Sequence, residues 1–246
     1  MTPEQIAKQF HEDGFVVIPQ LFAAEEVGTI LSEIDAYIEA FASTLPPGEI
    51  YFEDGPTRAV KSIVQLDERM SFFSDLRTDP RLVEIIQAIW PGCDVIPRKC
   101  MYFGKAAGEG GAAPAHQDNA FQCWDPPDAL TLTIALDASS AENGALCCRR
   151  GSHQAGLLPH RQSGMLGFSQ TLANPGVAEP YVPVPLCMAP GDAALHHINT
   201  IHASDANLSD RPRRQLGIGY RSSRAHRDDA AWQKYQQDLA ELHGEN

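Results

Sequence analysis

Six short apolar runs occupy 94–103, 129–136, 144–149, 181–187, 193–202 and 214–220, and Gly/Pro-rich breaks such as KAAGEGGAAP (105–114), WDPPD (124–128) and APGD (189–192) separate them. No helical pattern falls between the runs. Parallel neighbours in a sheet need a crossover of about a dozen residues or more, usually a helix. Short strands joined directly by turns therefore predict an antiparallel sandwich or barrel. ALTLTIAL (129–136) has the texture of a fully buried strand, and Asn143-Gly144 that of a tight turn.

The first 92 residues read differently. Thr2-Pro3 opens a short helix that Gly14 ends, and FVVIP (15–19) is a single β-branched strand. Val27, Ile30, Leu31, Ile34, Ile38 and Phe41 recur at three- and four-residue spacing, which predicts an amphipathic helix over 23–43. DPRLVEIIQAIW (79–90) predicts another, and 228–242 a last one. A chain of 246 residues fits one domain. The expected organisation is a mainly β single domain, 1–246. It has a mostly helical layer at 1–92, a β core at 93–225 and a C-terminal helix and tail at 226–246. The segment 155–180, with its Gly, Pro, Ser and Asn, reads as an insertion outside the core, of the kind that serves as a lid or binding loop.

Charge narrows the partners. Thirty-two acidic against 19 basic residues give −13, a surface that repels polyphosphate and anionic membranes. Nucleic acid and membranes are thus not expected partners, and nothing in the sequence speaks to an oligomer. No apolar run approaches the roughly 18 residues of a membrane span, and the acidic N-terminus lacks a secretory pattern, so a cytoplasmic location is expected. Six cysteines without a CxxC read as free thiols in a reducing compartment. Arg149, Arg150, Arg161 and Lys105 offer local positive charge despite the overall balance.

The chemistry concentrates in two places. In His116-Gln117-Asp118 an extended backbone projects imidazole and carboxylate to one face, where both can bind one ion. Two histidines and one carboxylate form the facial triad suited to non-haem Fe(II). A lone HxD is weak, but PGDAALHHINTIHASDANLSDRPRR (190–214) adds His196, His197 and His202, followed by Arg211, Arg213 and Arg214. A guanidinium there would take the far carboxylate of a metal-chelating dicarboxylate bidentately.

QFHEDGFVVIPQLFAAEEV (9–27), HQD (116–118), ENGAL with RRGSH (142–153), PGD (190–192) and IHASDAN…RPRR (201–214) together resemble the phytanoyl-CoA dioxygenase (PhyH) family. The resemblance implies a double-stranded β-helix (jelly roll). It implies Fe(II), 2-oxoglutarate as co-substrate and O2, with a small molecule hydroxylated and succinate and CO2 released. It makes His116, Asp118 and His202 the metal ligands, and gives Arg213 and Ser204 to the distal carboxylate of 2-oxoglutarate. Met101 and, more loosely, Lys61 match residues lining the cosubstrate pocket. His196 and His197 remain core or rim residues in this alignment, and alternation puts Arg214 on the face opposite Arg213. Closeness to the motifs points to Asn119, Phe121, Trp124, His160, Arg161 and Phe168 for the substrate pocket.

The chain departs from the family at Arg150, where Pro is usual, and at 130–136, where a common Trp is absent. Relatives that halogenate lack the metal carboxylate, so Asp118 favours hydroxylation. Competing readings are a cupin-like metal-dependent hydrolase or isomerase, and a non-catalytic small-molecule-binding protein on the same scaffold. The Ser204/Arg213 pair argues against the first, since such enzymes need no dicarboxylate anchor.

Overall fold

A computed structural model describes residues 1–165 and 167–243, the side chains of the last two excepted. The final three residues of the expected tail therefore lie outside the described residues. Two antiparallel sheets carry the architecture. The larger has seven strands in the order Phe15–Ile18, Ala193–His197, Ala129–Ala135, Arg213–Ser222, Val95–Lys105, Val60–Val64, Ile50–Phe52. The smaller has four, Pro183–Pro185, Leu146–Arg149, His202–Ser204 and Ala113–His116. Neighbouring strands in both sheets pair antiparallel, as strands joined by turns rather than crossovers require.

Each of the six apolar runs delivers a strand, with one refinement. The run 193–202 is two strands: Ala193–His197 belongs to the large sheet, whereas His202–Ser204 belongs to the small one. The chain changes sheets between them, and Thr200 Oγ1 donates to Gly14 O at 2.8 Å within that crossing. The first 92 residues also hold more strand than their periodicity suggests. Val60–Val64 and Ile50–Phe52 extend the large sheet beyond Val95–Lys105, alongside the foreseen strand Phe15–Ile18.

The helices form as their sequence signals demand. Pro3–Asp13 starts in a capping box in which Thr2 N donates to Gln5 Oε1 (2.9 Å) and Gln5 N to Thr2 Oγ1. Gly14, at φ +82°, ends it in a conformation that costs glycine little. Ala24–Phe41 is capped by Glu26, which also takes Arg81 at 2.7 Å. Asp79 caps Pro80–Ile89.

These helices lie against one face of the large sheet. Ile6, Phe10, Ile30, Ile34 and Ile86 join Leu132, Ile134, Leu195, Leu216, Ile218 and Tyr220 in one buried cluster. Each such side chain contributes about 1.5–3 kcal/mol by leaving water. The opposite face of the same strands is polar, with Thr131, Thr133, His196, Arg213 and Gln215 buried there. Period-two alternation thus divides stability from chemistry across a single layer.

The segment 155–180 is not wholly outside the core, contrary to expectation. Gln170–Leu172 pairs with His160–Gln162, its three residues are buried, and Thr171 Oγ1 donates to Ala115 O at 3.0 Å. All six cysteines are free; Cys148 is buried and Cys147 half-buried, on opposite sides of their strand. The four cations named for a positive patch do not gather into one. Lys105 is buried against Asp205 O (2.7 Å), Arg150 pairs with Asp13, and Arg149 donates to Tyr181 O.

Candidate functional site

His116 ends the strand Ala113–His116, and His202 begins the strand directly beside it, paired opposite His116. The two imidazoles face each other with centroids 4.2 Å apart. Asp118 arrives by a different route from the one expected. It is not on the strand: its backbone is helical (φ −57°, ψ −29°) and it precedes the short helix Asn119–Gln122. Gln117 makes the turn. Its buried amide donates to Gly156 O and Asn199 O and accepts from Leu158 N. The chain bends so that the carboxylate swings back over the two rings.

The resulting donor set is directional. Nδ1 of His116 lies 2.7 Å from Pro114 O and Nδ1 of His202 lies 2.9 Å from Thr200 O. A carbonyl only accepts, so each Nδ1 carries hydrogen; neutral His116 presents an Nε2 lone pair, and His202 does so once its Nε2 proton leaves. Asp118 Oδ2 is engaged by Thr131 Oγ1 at 2.7 Å and His196 Nε2 at 3.1 Å. Oδ1 remains toward the rings, 3.7 Å from His116 Nε2 and 3.4 Å from His202 Nε2. The ligand atoms of His116, Asp118 and His202 lie within 4.8 Å of one another, close enough for one ion.

Electrostatics agree with that donor set. Burial first, and then the charge of His202, push His116 down to about 3, leaving a neutral imidazole. Burial works against ionised Asp118, but His202 and the hydrogen bonds from His196 and His202 hold it well below the usual carboxylate range. For His202 burial is outweighed by Asp118, which raises it. Neutral His116, ionised Asp118 and a His202 whose proton a metal would displace, each oriented by outer hydrogen bonds, suit a divalent transition metal.

The triad opens into a cavity of about 490 Å³ between the two sheets. Arg213, Ser204, Met101 and Lys61 all line it. Arg213 is only 4% exposed, yet its one side-chain partner is the Gln215 amide oxygen, while its own Nε and Gln215 Nε2 have none. Among the described residues no carboxylate pairs with it; Asp137 is taken by Arg214 on the other face at 2.9 Å, as alternation requires. Burial pulls Arg213 down to about 10. A buried guanidinium without an anion is costly unless a ligand completes it.

Of the six substrate-pocket residues, Phe121, Trp124 and Phe168 line this cavity. Phe121 and Phe168 flank His116 at 5.3 and 5.9 Å, and Lys61 lies over Phe168. The other three do not line it. Asn119 is spent on Trp124, accepting from its N–H at 2.7 Å and donating to its carbonyl. His160 accepts from Gln117 N at 3.1 Å and donates from Nδ1 to Leu158 O, so it braces the turn behind the triad. Arg161 is exposed and lines a separate cleft. Closeness in sequence to a motif misled here because the chain turns sharply on both sides of Asp118.

Sequence reasoning missed Thr131 and left open which of His196 and His197 faces the pocket; Thr131 and His196 fix Asp118. Alternation held the signal: in ALTLTIA the threonines share one phase, and of His196 and His197 only one faces the site. His197 instead meets Phe10 and His153 on the helical side. The helix Asp229–His243, expected over 228–242, was given no part in the site, although it brings Trp232 and Tyr235 to the cavity wall.

Comparison with known proteins carries the same direction. A probable alpha-ketoglutarate-dependent hypophosphite dioxygenase of Stutzerimonas stutzeri is 28% identical, over 89% of this chain and 78% of that protein. A phytanoyl-CoA dioxygenase of Arabidopsis thaliana is 25% identical, over 89% and 88% of the two. The solved structure of the epimerase SnoN in complex with Fe3+, alpha ketoglutarate and nogalamycin RO superposes with a TM-score of 0.72 at 22% identity, covering 92% of this chain and 86% of that one; it shares the fold. The sequence pattern of phytanoyl-CoA dioxygenase (PhyH) matches residues 10–215, and the chain belongs to that family.

Proposed function

We propose that this protein is an Fe(II)- and 2-oxoglutarate-dependent dioxygenase that hydroxylates a small molecule. It would work as one domain over 1–246 with a jelly-roll core. His116, Asp118 and His202 hold the iron, while Arg213 and Ser204 take the distal carboxylate of 2-oxoglutarate. Met101 and Lys61 line that part of the cavity. Bound iron, with O2 and 2-oxoglutarate, supplies the oxidising equivalent, and succinate and CO2 are the co-products.

The protein's share is orientation and exclusion of water. The carbonyls of Pro114 and Thr200 fix the two ligand tautomers, and Thr131 with His196 fixes which oxygen of Asp118 faces the ion. Phe121 and Phe168 close the ring edges against solvent, and Trp124 forms part of the substrate wall. Retention of Asp118 leaves no ligand position for a halide, which supports hydroxylation.

One observation carries the reading: a buried Arg213 without an anionic partner faces the same cavity as the triad. A metal hydrolase or isomerase has no use for it. Free cysteines and the absence, among the described residues, of a helix long and apolar enough to cross a membrane support a cytoplasmic location. The −13 charge supports a small-molecule substrate over nucleic acid. The test is succinate release from 2-oxoglutarate by purified protein with Fe(II) and O2. Turnover that needs all three is expected. Failure to bind 2-oxoglutarate in the presence of Fe(II) overturns the reading.

A further inference from the structure

The strand Val95–Lys105 is irregular beside the cavity. Ile218 pairs with Cys100 and Tyr220 with Pro97, so the single residue Gly219 stands against both Lys99 and Arg98. An extra residue in one strand bends it and re-aims side chains, and such bulges favour active sites. Here two consecutive cations both reach the cavity lining rather than alternating across the sheet. Gly219 leaves the room: a Cβ there would lie 3.2 Å from that of Arg98.

Arg227 joins them from the strand His226–Arg227, which pairs with Trp124–Asp125. The Trp124 ring has the guanidinium carbons of Arg98, Arg221 and Arg227 at 5.0, 5.0 and 4.4 Å, and Arg227 also lies 4.0 Å from the Trp232 ring centre. The indole faces hold the cations in place but do not neutralise them. Of the neighbouring arginines, Arg77 pairs with Asp67 at 2.6 Å and Arg224 with Asp128 at 2.7 Å, whereas Arg221, on the same indole, donates to Ser222 O and Ala225 O instead. Among the described residues Arg98, Lys99 and Arg227 have no such pair; Glu68 acts on Lys99 only from a distance. In a chain with 32 acidic and 19 basic residues, these cations at the cavity wall stand out against the overall charge.

Their position suits substrate, not cosubstrate. Gly219 pairs with Thr131, which holds Asp118. Arg98 is therefore two strand spacings from Thr131, about 10 Å. Arg213 lies six residues along the strand from Gly219, roughly 20 Å at about 3.3 Å per residue. One carboxylate of 2-oxoglutarate belongs to Arg213 and the other to the metal, so neither is left for Arg98.

We propose that this end of the cavity binds an oxyanion of the primary substrate, a carboxylate or a phosphonate, with Arg98 and Arg227 as ligands and Lys99 at the rim. The proposal rests on the 2-oxoglutarate reading of the site. It is tested by calorimetric titration of butanoate, propylphosphonate and neutral butanamide into anaerobic protein loaded with Fe(II) and saturating 2-oxoglutarate. At least one of the two acids binds, and which one identifies the acid class, while butanamide does not. Arg98→Gln and Arg227→Gln each raise the dissociation constant for that acid roughly tenfold to hundredfold, with 2-oxoglutarate affinity changing less than about twofold. Arg98→Lys, which keeps the charge, recovers part of the loss. Arg227→Gln serves alone if the Arg98 variants fold poorly by circular dichroism. Binding of butanamide as tight as butanoate, no binding of either acid, displacement of 2-oxoglutarate by the acid, or wild-type acid affinity in the double variant overturns the proposal. If wild-type protein does not bind 2-oxoglutarate, the functional reading fails by itself. The same acids titrated without cosubstrate then decide the anion site.

Discussion

The strand Arg213–Ser222 can be read twice. Leu216, Ile218 and Tyr220 point to the helices and are essentially inaccessible, whereas Arg213, Gln215, Gly217 and Gly219 face the cavity side. The first set is interchangeable in kind, since burial of apolar area is non-directional. The second set is not. Arg213 and Gln215 present a charge and an amide to the cavity, while Gly217 and Gly219 leave room for Phe103 and Arg98. One face is built for stability and the other is held in place by it.

The contrast breaks most visibly at the metal ligands. Asp118→Ala and His202→Ala should each lower Fe(II) affinity and succinate release by more than about a hundredfold, beyond the cost of losing an outer partner. Thr131→Val keeps shape and loses one hydrogen bond to Asp118, so about tenfold is expected in the same assays. Equal losses for Thr131→Val and Asp118→Ala would mean that Asp118 is not the ligand. Arg213→Met sharpens the comparison by moving two quantities in opposite directions. The KM for 2-oxoglutarate rises about a hundredfold, while stability to urea without cosubstrate increases, because a buried unpartnered charge is gone. A fall in both would show that Arg213 supports the fold rather than a ligand.

How far such a site is legible in the chain depends on the range of the physics involved. His116, Asp118, His202, Ser204 and Arg213 stand in ordered motifs, and the cavity gathers them. Helix caps at Thr2 and Asp79 are local and were equally readable. Alternation separates Arg213 from Arg214 and lets only one of His196 and His197 face the pocket, and the same rule applied to ALTLTIA would have found Thr131. What resists reading is non-local. Ile50–Phe52 and Val60–Val64 are too short to announce themselves, and only their pairing beside Val95–Lys105 makes them strands. The bulge that turns Arg98 and Lys99 together breaks the very alternation by which a strand is read. His160 and Asn119 are spent on the turn around Asp118, a shape that no spacing encodes.

The apolar face predicts the opposite pattern from the cavity face. Ile218→Ala should cost about 2–5 kcal/mol in urea unfolding, with Fe(II) affinity of the folded protein within a few-fold of wild type. A hundredfold loss of iron affinity at unchanged stability would show that the two faces are not separable.

The smallest effect lies at Lys105, where the two faces meet the cosubstrate end. Burial first, then the charge of Arg213, push this lysine down to about 7, while Gly111 O and Asp205 O accept from its Nζ. The unfolded chain keeps the proton to about 10.4. Between these values the unfolded state binds more protons, so stability rises with pH from about 7 to about 10 and is flat in this respect below. Lys105→Met should remove that slope, as measured by urea midpoints across the range. A carboxylate seated on Arg213 cancels part of the repulsion and raises Lys105, so binding 2-oxoglutarate near pH 7 draws in a fraction of a proton. The binding enthalpy then depends on the ionisation heat of the buffer in wild type and loses that dependence in Lys105→Met. An unchanged dependence in the variant would place the proton elsewhere and separate Lys105 from the cosubstrate end altogether.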